Sequence, residues 1–181
     1  MNINYKTAHI SNSAAAISST HYQTDMIRLG LSMYGYNPFC NHSLTGVNLT
    51  PCSGMYARIN HIKKVPQGSY ISYGLKYKTT KESLIATVAA GYADGFPRYL
   101  TNNYEVMVKN YYAPVCGSVC MDQFMIDITG IPEVNTGDYV MLFGDDPSGK
   151  CTVDTIATKG NTITYEILCN INDRVKRIYT Y

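Results

Sequence analysis

The chain has 181 residues, 45% of them hydrophobic and 15% charged. That suits one domain with a sizeable core, or one domain and part of another, and excludes a disordered chain or two large domains. Fifteen basic against thirteen acidic side chains give +2 with no long basic run, which excludes an electrostatic nucleic-acid footprint. No apolar run reaches the roughly 18 residues of a membrane span, and Met1-Asn2-Ile3-Asn4-Tyr5 lacks the charged and apolar regions of a signal peptide. The expectation is a cytoplasmic protein without membrane contact. The six cysteines (Cys40, Cys52, Cys116, Cys120, Cys151, Cys169) contain no Cys-x-x-Cys, and Cys116 and Cys120, four apart, have no nearby histidine to complete a metal-ligand pattern, so reduced thiols and no metal centre are expected.

In chain order, Ser11-Asn12-Ser13 offers cap residues ahead of the helix formers Ala14-Ala15-Ala16-Ile17. Met26 to Gly35 is a dense apolar run with Arg28 as its one charge, and reads as a buried strand. From about Leu44 the texture changes to short β-runs separated by turns. Met55 to Val65 alternates apolar with polar residues and is closed by Pro66-Gln67-Gly68. Ser83–Ala90 is an apolar strand, Tyr104–Lys109 and Tyr112–Cys116 form a hairpin, and Gln123–Ile128 and Asp138–Gly144 repeat the theme. Two short helices follow, the first capped by Thr152 and the second near Thr162–Leu168. The fold class expected is mainly β, an antiparallel barrel or sandwich over residues 41–181, preceded by a short α/β segment over residues 1–40.

Within this frame Ile71-Ser72-Tyr73-Gly74 sets a tyrosine beside glycine, where little bulk shields the backbone and the phenol can face a cavity as acid, base or donor. By residue type alone, Tyr73 is sheet packing, Ser13 a helix cap, Gly30 a packing glycine and Arg28 a partner of Asp25 or another acid, while Met121 and Tyr92 belong to a core. Ala93-Asp94-Gly95 is a tight-turn sequence between an apolar run and Arg98.

Taken together, Ile71-Ser72-Tyr73-Gly74, Gly91-Tyr92-Ala93-Asp94-Gly95-Phe96-Pro97-Arg98 and Val119-Cys120-Met121-Asp122-Gln123 resemble the C-terminal β domain of the alanine racemases. His9 to Ala15 and Ile27 to Gly35 are similar to that family's last βα-barrel elements, and Tyr165-Glu166-Ile167-Leu168-Cys169 with Arg174 to Tyr179 to its closing segment. The resemblance implies a pyridoxal 5'-phosphate-dependent racemase that interconverts L- and D-alanine for peptidoglycan and works as a homodimer on a small amino acid. It makes the first 40 residues a remnant of a βα barrel, since a whole barrel takes about 250 residues.

Residue by residue, the resemblance places Ser13, Gly30, Leu31 and Tyr165 in a phosphate cup and Arg28 opposite the pyridine nitrogen. A dianion needs several convergent donors, and a guanidinium can donate to that nitrogen without protonating it. Tyr73 becomes one of two bases on opposite faces of the α-carbon. Met121 and Asp122 become substrate-pocket residues, and Tyr92 and Arg98 the lining of the entrance corridor. Ser118 stands where the family commonly has arginine, which removes one corridor charge. No lysine here sits in the context of the family's Schiff-base lysine, so the cofactor is expected not to be held covalently by this chain, and the chain alone is expected to be inactive. In the family the β domain completes the site of the other subunit. Alternatives are a non-catalytic β-barrel module and a serine racemase of the same family, against which Tyr165 favours alanine.

Overall fold

Asn12 stands one residue ahead of the alanine run 14–16, and its Oδ1 accepts the N–H of Ala15 at 3.0 Å, capping the start of a helix. The computed structural model describes residues 4–18, 21, 24–39 and 46–180; Met1-Asn2-Ile3 and Cys40 lie outside them. These residues fall into two compact units, Met1–Ser53 and Gly54–Tyr181.

In the first unit, strand β1 (His9–Asn12), helix α1 (Ser13–Ser18) and strand β2 (Met26–Arg28) make one parallel β-α-β step, with His9 opposite Met26 and Asn12 opposite Arg28. The expected buried strand from Met26 to Gly35 is corrected. It is three residues long and exposed, and Leu31–Tyr34 wind into a 3₁₀ turn ended by Gly35 at φ 80°. A Cβ at Gly35 would fall 1.8 Å from the Thr50 carbonyl oxygen, so the strand could not run straight through with another residue there. Met26, Ile27 and Leu29 are each more than two-fifths exposed because a two-stranded sheet covers neither of its own faces, whereas Leu31 is buried.

The second unit is the β domain, and its first strand shows why. In β3 (Met55–Val65), Met55, Ala57 and Ile59 point inward and Tyr56, Arg58 and Asn60 outward, the period-two pattern seen in the sequence. Beyond β4 (Tyr70–Ile71) and β5 (Tyr77–Lys78), a small antiparallel pair, come β6 (Ser83–Val88), β7 (Glu105–Val108), β8 (Tyr111–Pro114), β9 (Phe124–Asp127) and β10 (Tyr139–Phe143). The six long strands run in the order β8-β7-β10-β3-β6-β9, every pair antiparallel. A bridge between Val115 and Ile126 joins the two ends, so the sheet is a nearly closed barrel rather than a sandwich. The expected hairpin is β7-β8, turned by Lys109 and Asn110, both with positive φ, as a two-residue hairpin turn requires.

Phe96 stacks on Phe124 at 4.5 Å and meets Tyr104 edge-on at 6.0 Å inside the barrel, with Phe143, Ile59 and Leu142 fully buried around them. The Tyr104 hydroxyl donates to the Leu142 carbonyl at 2.9 Å, and burial drives its ionisation far above the ordinary phenol range. Helix α2 (Val153–Lys159) starts at Thr152, whose Oγ1 accepts the N–H of Thr155 at 3.2 Å, and is tied to α3 (Thr164–Cys169) where Thr164 donates to Asp154 at 2.7 Å. No helix among the described residues is long and apolar enough to cross a membrane.

Candidate active site

In the β domain, the short pair β4-β5 exists to present what lies between its strands. Ser72 sits at φ 67°, ψ 179°, a region used almost solely by glycine, and Gly74 and Leu75 follow at φ 74° and φ 51°. Three left-handed residues in four fold the chain back on itself and throw Tyr73 outward, where it is 77% exposed. The turn is clasped from behind by the segment 117–120. The Ser72 hydroxyl donates to the Ser118 carbonyl at 2.9 Å, and the Ser118 hydroxyl donates to the Tyr73 carbonyl at 2.9 Å. Gly117 makes this approach possible, since a Cβ there would fall 2.6 Å from the Ser72 Cβ. Asn102 adds two struts, accepting from the Gly117 N–H at 2.6 Å and donating to the Lys76 carbonyl at 2.9 Å.

The same segment continues into Met121 and Asp122, both exposed, and lies against the turn Tyr92–Gly95. The N–H of Tyr92 donates to the Cys120 carbonyl, and that of Ala93 to the Met121 carbonyl, each at 3.0 Å. Gly91 permits the approach, because a Cβ there would meet the Cys120 and Met121 oxygens at 2.2 and 2.3 Å. Tyr73 and Tyr92, sought as site residues, are therefore carried by segments hydrogen-bonded to the strip 117–122, which itself carries Met121. Arg98 opens the next 3₁₀ turn and is exposed.

Arg174 had no place in the sequence reading beyond its membership of the closing segment, yet it ties this surface together. Its Nε donates to Asp94 Oδ1 at 2.7 Å and its Nη2 to Asp122 Oδ1 at 2.6 Å, while Asp94 Oδ2 accepts the Gly91 N–H at 2.8 Å. The hydrogen bond to Asp122, then the charge of Asp94, raise the guanidinium above its ordinary value, so it stays cationic. Nothing local marks this contact: Arg174 and Asp122 are 52 positions apart. Tyr165 lies on α3 and is 38% exposed. A cleft of about 430 Å³ runs between α3 and the turn bearing Tyr92, lined by Tyr92, Pro97, Tyr99, Thr162, Glu166 and Asn170. Neither Tyr73 nor Met121 lines it.

In the first unit, the Ser13 Oγ accepts the Gly30 N–H at 2.9 Å, which brings two of the expected phosphate ligands together, with Leu31 next in the chain. Arg28 lies 2.7 Å from His9 Nδ1 and donates to the Ile10 carbonyl at 3.2 Å. The alternative of an ion pair with Asp25 is not what the structure has: Asp25 Oδ2 accepts the Ala8 N–H at 2.8 Å. No group of three His, Cys, Asp or Glu side chains placed to hold a metal occurs among the described residues.

Residues 53–179 match the family "Alanine racemase, C-terminal domain" and residues 1–38 the family "Alanine racemase, N-terminal domain". The chain is 44% identical over 179 residues to the alanine racemase of Halothermothrix orenii, covering 99% of this chain and 47% of that protein. Among solved structures, the alanine racemase of Clostridium difficile 630 in complex with cycloserine superposes with a TM-score of 0.86 at 42% identity, over 92% of this chain and 44% of that one. The Bacillus anthracis alanine racemase with bound L-Ala-P does so with a TM-score of 0.87 at 37% identity, over 96% of this chain and 44% of that one. The chain spans about half the length of the curated relatives it matches. With its β domain matched almost end to end, and the shorter first segment matched as well, the chain belongs to the alanine racemase family.

Proposed function

We propose that this chain supplies the tyrosine-bearing half of an alanine racemase active site, with Tyr73 as one of the two bases that move the α-proton of alanine. The observation that carries the reading is the clasped left-handed turn: a strained backbone persists only when its surroundings hold it, and here they hold an exposed phenol. Tyr73 takes or returns the proton at the α-carbon from one face, and its exposure suits a group that completes the site of a second subunit. Met121 and Asp122 would bound the substrate pocket, with Asp122 fixed by Arg174, and Tyr92 and Arg98 would line the way in.

The first unit fits pyridoxal 5'-phosphate. Ser13 Oγ accepts from Gly30 and keeps its own proton to donate. The 3₁₀ turn at Leu31 has no side-chain cap, and the Ser32 hydroxyl in that turn is buried without a partner. Hydroxyls and uncapped backbone N–H groups are the donor set a phosphate dianion needs. When bound, the cofactor would supply the electron sink for the α-carbon's charge. Ser13, Gly30 and Leu31 would hold its phosphate, and Arg28 would face its ring nitrogen as a donor that cannot give up its proton. The 181 residues alone would be inactive, since their lysines match no Schiff-base context.

The test joins this chain to the N-terminal half of the Halothermothrix orenii enzyme and follows α-deuterium washout from each enantiomer of alanine. Tyr73→Phe should abolish washout from one enantiomer and spare the other, because it removes one of two bases. Undiminished washout from both would refute the assignment.

A further inference from the structure

We propose that Ser118 is a positioning residue for Tyr73: its hydroxyl and its carbonyl, each engaged with the strained turn, set where the phenol stands. The inference rests on the reading of Tyr73 as a base, and deepens it. Four observations converge on Ser118. It is buried, 5% exposed, although the strip it belongs to runs on into the exposed Met121 and Asp122. Its hydroxyl donates to the carbonyl of Tyr73 itself. Its carbonyl accepts the hydroxyl of Ser72, the residue with the least favourable backbone of the turn, and the Cys120 thiol at 3.4 Å. The preceding Gly117 is the only kind of residue that lets the two strips approach this closely, with φ 83° and Ser72 in the space a Cβ would fill.

The two serines thus form a reciprocal pair, each hydroxyl bonded to a carbonyl of the other strip. A single such bond would allow the turn to pivot, whereas two, one on each side of the Ser72–Tyr73 peptide, fix its plane. Because Tyr73 is 77% exposed, contacts of its own ring do little to hold it, and the backbone clasp is what remains to define its position. A residue read by sequence as a lost corridor charge is therefore a buried strut.

Two arms of one experiment test this. On the 181-residue chain, Ser118→Ala should shift the Tyr73 carbonyl-carbon resonance and lower the heteronuclear NOE of residues 72–75, leaving the amides of β6 and β9 unchanged. Ser118→Thr and Ser118→Val have nearly one shape and differ in the hydroxyl; Thr should restore the wild-type signals and Val should not, which holds the comparison even if Ala perturbs folding. In the chimeric racemase, Ser118→Ala and Ser118→Val should lower kcat about tenfold to a hundredfold with little change in KM. The washout they lose should be from the same enantiomer that Tyr73→Phe affects. If Tyr73→Phe has no enantiomer-specific effect, the racemase reading fails and the NMR arm alone decides the clasp. If Tyr73→Phe has its effect while Thr and Val behave alike, or residues 72–75 stay rigid in Ser118→Ala, the positioning role is overturned.

Discussion

Gly91→Ala isolates one physical effect, the closeness of two backbones. Gly91 has φ −157°, extended backbone open to any residue, so alanine there carries no conformational penalty. What it meets is the Cys120 oxygen at 2.2 Å and the Met121 oxygen at 2.3 Å. Carbon contacts become favourable only near about 3.5 Å, so the two strips must part by roughly 1 Å. That lengthens the 3.0 Å bonds from Tyr92 and Ala93 beyond hydrogen-bonding reach. Two lost bonds at about 1 kcal/mol each, with about 1–2 kcal/mol of overpacking, predict a loss near 3–4 kcal/mol. Gly130→Ala is the complementary control, with φ 85° and no atom within 4 Å, and should lose about 1 kcal/mol through backbone conformation alone. Urea denaturation followed by far-UV circular dichroism measures both. A loss under about 1 kcal/mol for Gly91→Ala, or an equal loss for the two variants, would refute the reasoning.

Asp146 accepts the Tyr112 hydroxyl at 2.6 Å and the Cys151 N–H at 2.8 Å; burial works to raise its carboxyl, but these bonds and those from Ser148 hold it below the usual range. A depressed carboxyl contributes stability above about pH 4 and loses it as pH falls through the folded value, so Asp146→Asn should be about 1–3 kcal/mol less stable at pH 7 and less sensitive to acid, as denaturation across pH 3–7 would reveal. Incubated with pyridoxal phosphate and borohydride, the 181-residue chain should give no stoichiometric adduct at a single lysine by mass spectrometry. The same chain should self-associate, because Ile10, Met26, Ile27, Leu29 and Met33 of the first unit stand between 44% and 62% exposed; a constant monomer mass by light scattering across a dilution series would contradict this.

The sequence disclosed what is periodic or local. Alternation marked β3, Thr152 marked α2, and Ala93-Asp94-Gly95 marked a turn that Gly95 does end at φ 100°. The strand expected at Met26–Gly35 was misread because apolar density carries no sign of the bend at Gly30, where φ −124°, ψ −109° breaks the extended run. The Lys109-Asn110 turn lacks the usual glycine, and its handedness appears only in the backbone. Tyr73, Met121 and Asp122 were singled out through motifs rather than physics. Arg174 escaped notice because its role depends on two carboxylates 80 and 52 positions away.

The strand order of the barrel also governs how the chain reaches it. β3 finds β6 early, with Val65 opposite Ser83, but its other edge waits for β10, and Arg58 and Tyr139, which pair there, are 81 positions apart. At ~5–20 residues per second, a ribosome leaves that edge unpaired for about 4–16 s. An open edge recruits other strands, and the usual defence is charge. β3 carries Arg58, Lys63 and Lys64, all exposed, so the strand most delayed in finding its neighbour is also the one that repels its own copies while it waits.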